Sequence, residues 1–164
     1  MIKNAQQAIY WIYNEPKKIS FFKKNTLERI NRLLDDLGRP QKKLPPIIHV
    51  TGTNGKGSTS RFSQAILTES GFKTGLFISP YIVSFNERIQ IDGKNISDED
   101  LVKYTEIVSK HYSGQSSFEI ITAIAILYFA DAGLDALVME VGIGGKWDST
   151  NVINATVAVI TSIG

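Results

Sequence analysis

The segment that most limits what this chain can become is Ile47-Ile48-His49-Val50-Thr51-Gly52-Thr53-Asn54-Gly55-Lys56-Gly57-Ser58-Thr59. A β-branched apolar run leads straight into three glycines, a lysine and two hydroxyls. A helix-compatible stretch follows, which is the local order of a phosphate-binding strand, loop and helix. Glycines let successive backbone N–H groups turn toward a polyphosphate, the start of a helix adds unpaired donors and a positive dipole end, and Lys56 adds a point charge. Ser58 or Thr59 would then reach Mg²⁺. The loop is a variant: the common pattern G-x-x-x-x-G-K-[ST] asks for Gly at 50 and a hydroxyl at 57, where this chain has Val50 and Gly57. A nucleoside triphosphate is the expected ligand, against the plainer reading of a tight strand-to-helix turn with Lys56 in water.

With 164 residues, 43% of them hydrophobic and 21% charged, the chain is long enough to bury a core of its own as one globular domain. It has no cysteine, so neither a disulfide nor a thiolate metal site contributes. The net charge of +2 is small, and pairs such as Lys17-Lys18, Lys23-Lys24 and Lys42-Lys43 read as solvated faces, so nucleic-acid binding is not expected. The longest apolar run, 120–130, has the length of a buried helix rather than a membrane span. Lys3, Asn4, Gln6 and Gln7 argue against a signal peptide, and the lack of cysteine, which fits a reducing compartment, makes the cytoplasm the default expectation.

Taken in order, 2–13 is expected to form an amphipathic helix with Ala5, Ile9, Ile12 and Tyr13 on one stripe, closed by Glu15-Pro16. A second helix is expected over 26–37, with Leu27, Ile30, Leu33, Leu34 and Leu37 inward and Gly38 and Pro40 ending it. After a proline-closed lead-in come a strand at 47–51, the loop, and a helix over 60–70 carrying Phe62, Ala65, Ile66 and Leu67. A second buried strand follows at 75–78, parallel to the first. Residues 81–87 read as a loop. Residues 88–96 alternate around Asp92-Gly93, a strong hairpin signal. Ser97 caps a helix to about Tyr112, and Ser116 with Glu119 resembles a capping box for an apolar helix over 118–132. A third strand at 136–141 leads into a second glycine-rich loop, Gly142-Ile143-Gly144-Gly145, and a fourth strand spans 156–161. The expected fold is α/β: a mostly parallel sheet with flanking helices, akin to P-loop nucleotide-binding domains, plus a small hairpin.

Parallel strands deliver their carboxyl ends to one edge, so Glu140 is expected beside Ser58 and Ser79, where three hard oxygens around phosphates would suit Mg²⁺. A lone buried carboxylate is costly unless paired or metal-bound, and the competing reading is a carboxylate paired with a lysine or arginine. Asp148-Ser149-Thr150-Asn151 reads equally as an Asx or hydroxyl turn, Glu87-Arg88 as an ion pair at the hairpin base, His49 as a satisfied core histidine and His111 as a helix-end residue. Two histidines and no cysteine give little support to a nucleophilic triad.

Several of these segments carry a resemblance together. His49 to Ser58, Ser79-Pro80 with Phe85-Asn86-Glu87-Arg88-Ile89, Phe118-Glu119, and Glu140 to Gly145 with Asp148-Ser149-Thr150-Asn151-Val152-Ile153 look like the folylpolyglutamate synthase and dihydrofolate synthase family, related to the Mur ligases. The shared order runs over essentially the whole chain from about residue 2. The resemblance implies an ATP-dependent ligase that joins L-glutamate to folate or dihydropteroate through an acyl phosphate. It implies that Thr53, Asn54, Gly55, Lys56, Gly57, Ser58 and Thr59 hold ATP, and that Ser58, Ser79 and Glu140 hold Mg²⁺. Lys56 and Glu140 would be the catalytic residues. Ser116, Ser117, Phe118 and Glu119 with Trp147, Asp148 and Ser149 would line the pterin side.

The loop at 81–88 resembles the family's mobile segment beside the folate cleft, while Lys146-Trp147 departs from the usual pattern there. Family members continue past a segment like Thr161-Ser162-Ile163-Gly164 into a further metal ligand, a modified lysine and a C-terminal domain. The chain is therefore expected to be an N-terminal ATP-binding domain, with 1–46 a helical lead-in and 47–164 the core. It would bind nucleotide and be inactive alone, and its parent would be monomeric. A non-catalytic nucleotide-binding module and a different P-loop small-molecule kinase are the competing readings.

Overall fold

The computed structural model describes residues 2–15 and 27–164. The stop at Pro16, the lysine pairs at 17–18 and 23–24 and the start of the second helix at 26 lie outside them. The described elements are α1 (Ala5–Asn14), α2 (Glu28–Asp36), β1 (Ile47–Thr51), α3 (Lys56–Glu69), β2 (Thr74–Phe77), β3 (Ile89–Ile91), β4 (Lys94–Asn95), α4 (Asp98–Ser109), α5 (Ser117–Asp131), β5 (Ala136–Glu140) and β6 (Val157–Ile160), with short 3₁₀ turns at Pro40–Lys43, Phe85–Arg88 and Ser149–Val152.

All six strands form one sheet in the order β4-β3-β2-β5-β1-β6. The four strands from β2 to β6 run parallel, and β3 and β4 add an antiparallel hairpin at one edge. β1 and β2 are parallel, as expected of a strand-helix-strand unit, but β5 lies between them, with Ile47 opposite Leu137 and Gly75 opposite Leu137 from the other side. β5 is thus interior, and its near-continuous Ala-Leu-Val-Met run is what a strand covered on both faces requires. At the hairpin, Asp92 and Gly93 both take positive φ (50° and 73°), the geometry that Asp-Gly supplies to a two-residue turn.

One face of the sheet is packed by α1, α2, α4 and α5, in a core joining Ile12, Ile30, Leu33, Leu34, Leu101 and Ile124 to Phe77, Ile89, Leu137 and Met139 of the strands. The apolar α5 is buried along most of its length, as its composition predicts. On the other face lies α3, over a smaller cluster of Val50, Leu76, Ile78 and Val138.

Two expectations about helix faces are corrected here. In α1 the buried residues are Ala8 and Ile12, while Tyr13 is exposed. In α3, Phe62 and Ile66 are 70% and 66% exposed, and Ser60 and Gln64 turn inward instead. The rotation of α3 is set at its first turn by the glycine loop, and an apolar stripe further along cannot override that anchor. α4 stops at Ser109, short of Tyr112. No described helix is long and apolar enough to cross a membrane.

Candidate functional site

The glycine loop joins the carboxyl end of β1 to α3. Gly55 takes φ +82° as the N-cap, so the chain enters the helix at Lys56, four residues earlier than its apolar spacing predicts. Lys56, Gly57 and Ser58 therefore occupy the first turn, where backbone N–H groups have no intrahelical acceptor; the first bond of this turn is Thr59 N–H to Gly55 O at 2.9 Å. Two of the loop's N–H groups are not free for a ligand. Thr53 N–H donates to Ser162 O at 2.7 Å and Asn54 N–H to Ser162 Oγ at 3.2 Å, while Thr161 Oγ1 donates to Asn54 O at 2.6 Å. Gly52 sits at φ +138°, where a methyl group would collide with Thr161 Oγ1 and stand 2.9 Å from Ser162 O. The loop is thus braced from behind by 161–164, and its open donors lie at the helix end. Lys56 Nζ folds back to donate to Gly52 O at 2.9 Å.

A cleft of about 630 Å³ opens over this turn, lined by Thr53 to Ser58, Arg61, Phe62, Ile78, Ser79, Pro80, Ile82 and Glu140. The structure thereby brings Ser58, Ser79 and Glu140 together, and leaves Thr59 out of the lining. Glu140, at the end of the interior β5, is only 3% exposed. Its Oε2 accepts the Ser79 N–H at 2.9 Å, and no ion pair holds it among the described residues. A methyl built on Gly57 would lie 3.9 Å from both Glu140 oxygens, so the first turn of α3 passes directly over the carboxylate. Burial pushes the Glu140 carboxyl above the ordinary range, opposed by the Ser79 N–H and by the charges of Lys56 and Arg88. No three His, Asp or Glu side chains among the described residues cluster to hold a metal. A cation here would take one carboxylate, hydroxyls, and phosphate or water oxygens, the mixed set that suits Mg²⁺.

A second cleft, about 510 Å³, is lined by Leu27, Arg29, Ser116, Phe118, Glu119, Ile143, Gly144, Gly145, Lys146, Trp147, Asp148 and Ser149. Six of the seven residues expected on the pterin side meet there; Ser117 is not among them. Ser116 and Glu119 form the expected capping box, with Ser116 N–H donating to Glu119 Oε2 at 2.7 Å, and Arg29 Nε reaches the same oxygen at 3.2 Å. Trp147 is 53% exposed. At the end of β5, Gly142 admits the Phe118 ring: a methyl there would stand 2.6 Å from its Cε1.

Behind this cleft runs a buried chain that sequence reasoning did not assemble. Asp148 Oδ2 accepts Ile143 N–H (2.9 Å), and Oδ1 accepts both the backbone N–H (2.9 Å) and the hydroxyl (2.6 Å) of Thr150. With its one proton given to Asp148, the Thr150 hydroxyl accepts from His49 Nε2 at 2.8 Å, which assigns the N–H to Nε2. Burial lowers the His49 pKa, with Asp148 pulling it upward. The Asx turn at 148–150 and the satisfied core histidine are thus both present, as one unit; the available signal was the hydroxyl two residues after Asp148. Thr51 Oγ1 adds a second tie from β1 to this loop, donating to Gly144 O at 2.6 Å.

Glu87 and Arg88 do not form the expected ion pair. Glu87 accepts the N–H groups of Ile82, Val83 and Ser84 at 2.9 to 3.1 Å, which hold its carboxyl below the ordinary range. Closing three local backbone bonds at the start of a 3₁₀ turn uses its oxygens fully, and Arg88 stacks on aromatic rings instead. His111 lies two residues past α4 and donates its backbone N–H to Val108 O.

The strand, braced glycine loop and interior glutamate coincide with a known pattern: residues 50–164 match the model of the Mur ligase middle domain. The chain belongs to the Mur ligase middle domain family. Within that family its resemblance to the folylpolyglutamate and dihydrofolate synthases is borne out. It is 43% identical over 173 aligned residues to the dihydrofolate synthase/folylpolyglutamate synthase of Bacillus subtilis, covering 100% of this chain and 39% of the relative. The apo folylpolyglutamate synthase of L. casei superposes with a TM-score of 0.90 at 39% identity, over 96% of this chain and 40% of that one. A folylpolyglutamate synthase complex with AMPPCP and folate gives 0.88 at 40% identity, over 96% and 40%. The chain thus spans about 40% of the length of these relatives. The Mur ligase middle domain match begins inside β1 and takes in the first cleft and all of the second except Leu27 and Arg29.

Proposed function

We propose that this chain is the ATP-binding part of a ligase that adds L-glutamate to folate or dihydropteroate. The observation that carries the reading is the convergence, on one sheet edge, of the open first turn of α3, the Glu140 carboxylate beneath it and the second, aromatic-lined cleft against the end of β5. The similarity to a synthase seen with AMPPCP and folate supports assigning one cleft to each.

In this reading the N–H groups of Lys56, Gly57 and Ser58, with the Lys56 ammonium, hold the terminal phosphates of ATP and stabilise charge on the γ-phosphoryl oxygens. Ser58, Ser79 and Glu140 would hold Mg²⁺, which when bound supplies charge neutralisation to the phosphates. Ser116, Phe118, Glu119, Trp147, Asp148 and Ser149 orient the pterin end of the acceptor, so that its carboxylate faces the γ-phosphorus. The carboxylate oxygen forms a bond to that phosphorus as the bond to the β,γ-bridging oxygen breaks, releasing ADP. The glutamate amine then attacks the acyl carbon, loses a proton, and inorganic phosphate leaves. Holding two anions in contact is mostly positioning and electrostatics.

Calorimetric titration of the chain with ATP, with and without Mg²⁺, tests the reading. Lys56→Ala is expected to weaken ATP binding with the melting temperature retained, and Glu140→Gln to bind ATP without the Mg²⁺ enhancement. Equal affinities in wild type and Lys56→Ala, or a Glu140→Gln chain that responds to Mg²⁺ as wild type does, would refute the assignments.

A further inference from the structure

Among the described residues, Arg88 is a cation near the nucleotide cleft whose side chain has no acceptor. It closes the 3₁₀ turn Phe85–Arg88 and is half-buried. Its backbone O accepts the N–H of Ile78, next to the Ser79 whose own N–H lies on Glu140. The guanidinium carbon stands 5.1 Å from the Tyr81 ring centroid and 5.8 Å from that of Phe85. Nε is buried with no hydrogen-bond partner, and the side chain joins no ion pair among the described residues. The neighbouring charges are otherwise occupied: Arg61 donates to Gln90 Oε1, Lys56 donates to Gly52 O, and Glu87 accepts from three backbone N–H groups.

Stacking on two rings fixes the plane of a guanidinium and stabilises its charge, but leaves its in-plane N–H donors unsatisfied. Burying a donor without an acceptor is unfavourable, and a bound anionic group would supply the acceptor. A planar fork of donors matches a carboxylate or phosphoryl group in two parallel bonds. Arg88 is close enough to Glu140 for its charge to favour the carboxylate, yet the two form no salt bridge among the described residues, so the guanidinium is not committed to that group.

We propose that Arg88, pre-oriented by Tyr81 and Phe85, is a substrate-binding residue that receives an anionic oxygen, carboxylate or phosphoryl, of the bound reactants. This rests on the ligase reading, which brings the acceptor carboxylate up to the γ-phosphoryl group of ATP. Arg88 would relieve the repulsion between them as they approach. The exposed loop residues Ile82 and Val83 donate their backbone N–H groups to Glu87, which ties the segment carrying Tyr81 to the 3₁₀ turn that carries Phe85 and Arg88.

The test titrates the wild-type chain, Arg88→Lys and Arg88→Gln with three probes: MgATP, pteroate, and the pteroate analogue lacking the benzoate carboxylate. Loss of a charge-assisted fork should weaken one anionic probe by about ten-fold or more, with Arg88→Lys recovering only part of it. Weakening of pteroate but not its neutral analogue assigns the carboxylate; weakening of MgATP assigns the phosphate. In parallel, modification of wild-type Arg88 by phenylglyoxal, followed by mass spectrometry, should be slowed by the same probe and not by the neutral analogue, a result independent of how the variants fold. Unchanged affinities in folded variants, or no protection by either anionic probe, would overturn the proposal while leaving the ligase reading intact. A wild-type chain that binds neither MgATP nor pteroate would overturn both.

Discussion

Thr150→Val removes one hydroxyl from the centre of the His49–Thr150–Asp148 chain while keeping the side chain's shape. Thr150 is fully buried, His49 and Asp148 nearly so. Two consequences follow. His49 Nε2–H loses its acceptor in a place where water does not replace it, a cost of about 1–3 kcal/mol. Asp148 Oδ1 loses its shortest donor and keeps only the Thr150 backbone N–H, and a bond to a charged acceptor contributes about 1.5–3 kcal/mol. These terms share an atom and are not fully additive, so a net loss of about 2–4 kcal/mol is expected. For a domain of this size each kcal/mol moves the melting temperature by about 2–4 °C. Thermal and urea unfolding of wild type, Thr150→Val and Thr150→Ser measure it. The serine retains the hydroxyl and should lose only about 1 kcal/mol for the methyl group. A valine variant within 0.5 kcal/mol of wild type, or as stable as the serine variant, would refute the claim that this hydroxyl links histidine to aspartate (the threshold being about the usual noise of surface substitutions).

The remaining outcomes concern pH and the wall between the clefts. Burial lowers the His49 pKa below its ordinary 6.5, so between the folded value and 6.5 the unfolded chain binds a proton that the folded chain does not. Stability therefore rises with pH through that window, is fully present above it, and falls on acidification by at most about 1.4 kcal/mol per pH unit for this one group. His49→Gln should flatten that part of the stability profile, and an unchanged slope in urea titrations at stepped pH would count against it. Gly142→Ala should displace the Phe118 ring and crowd Asp148 Oδ2, which would lie 3.1 Å from the new methyl. Pteroate binding is then expected to weaken more than MgATP binding, and an equal loss for both ligands would show that the residue does not separate the two clefts.

Much of the fold was legible locally because its signals are local. The β-branched run before Gly52, the Asp92-Gly93 turn and the Ser116/Glu119 capping box each follow from a few adjacent residues, and each is present with the expected partners. The alternation of strands and helices with glycines at the strand ends likewise implied a parallel sheet, whose carboxyl edge had to gather Ser58, Ser79 and Glu140. What only the tertiary structure decided was the placement of β5 between β1 and β2, the face that α3 presents and the partner of each polar group. Strand order depends on long-range pairing that no local period encodes. The rotation of α3 follows from Gly55 and from the passage of Gly57 over Glu140, so Phe62 and Ile66 point outward although their spacing favours burial. Glu87 and Arg88 adjoin in sequence with opposite charge, yet three nearby backbone N–H groups bind the carboxylate, and two rings take the cation. Hydrogen-bond partners across a hundred residues, such as His49 and Thr150, are set by which strand ends meet, and that geometry exists only once the sheet has closed around β5.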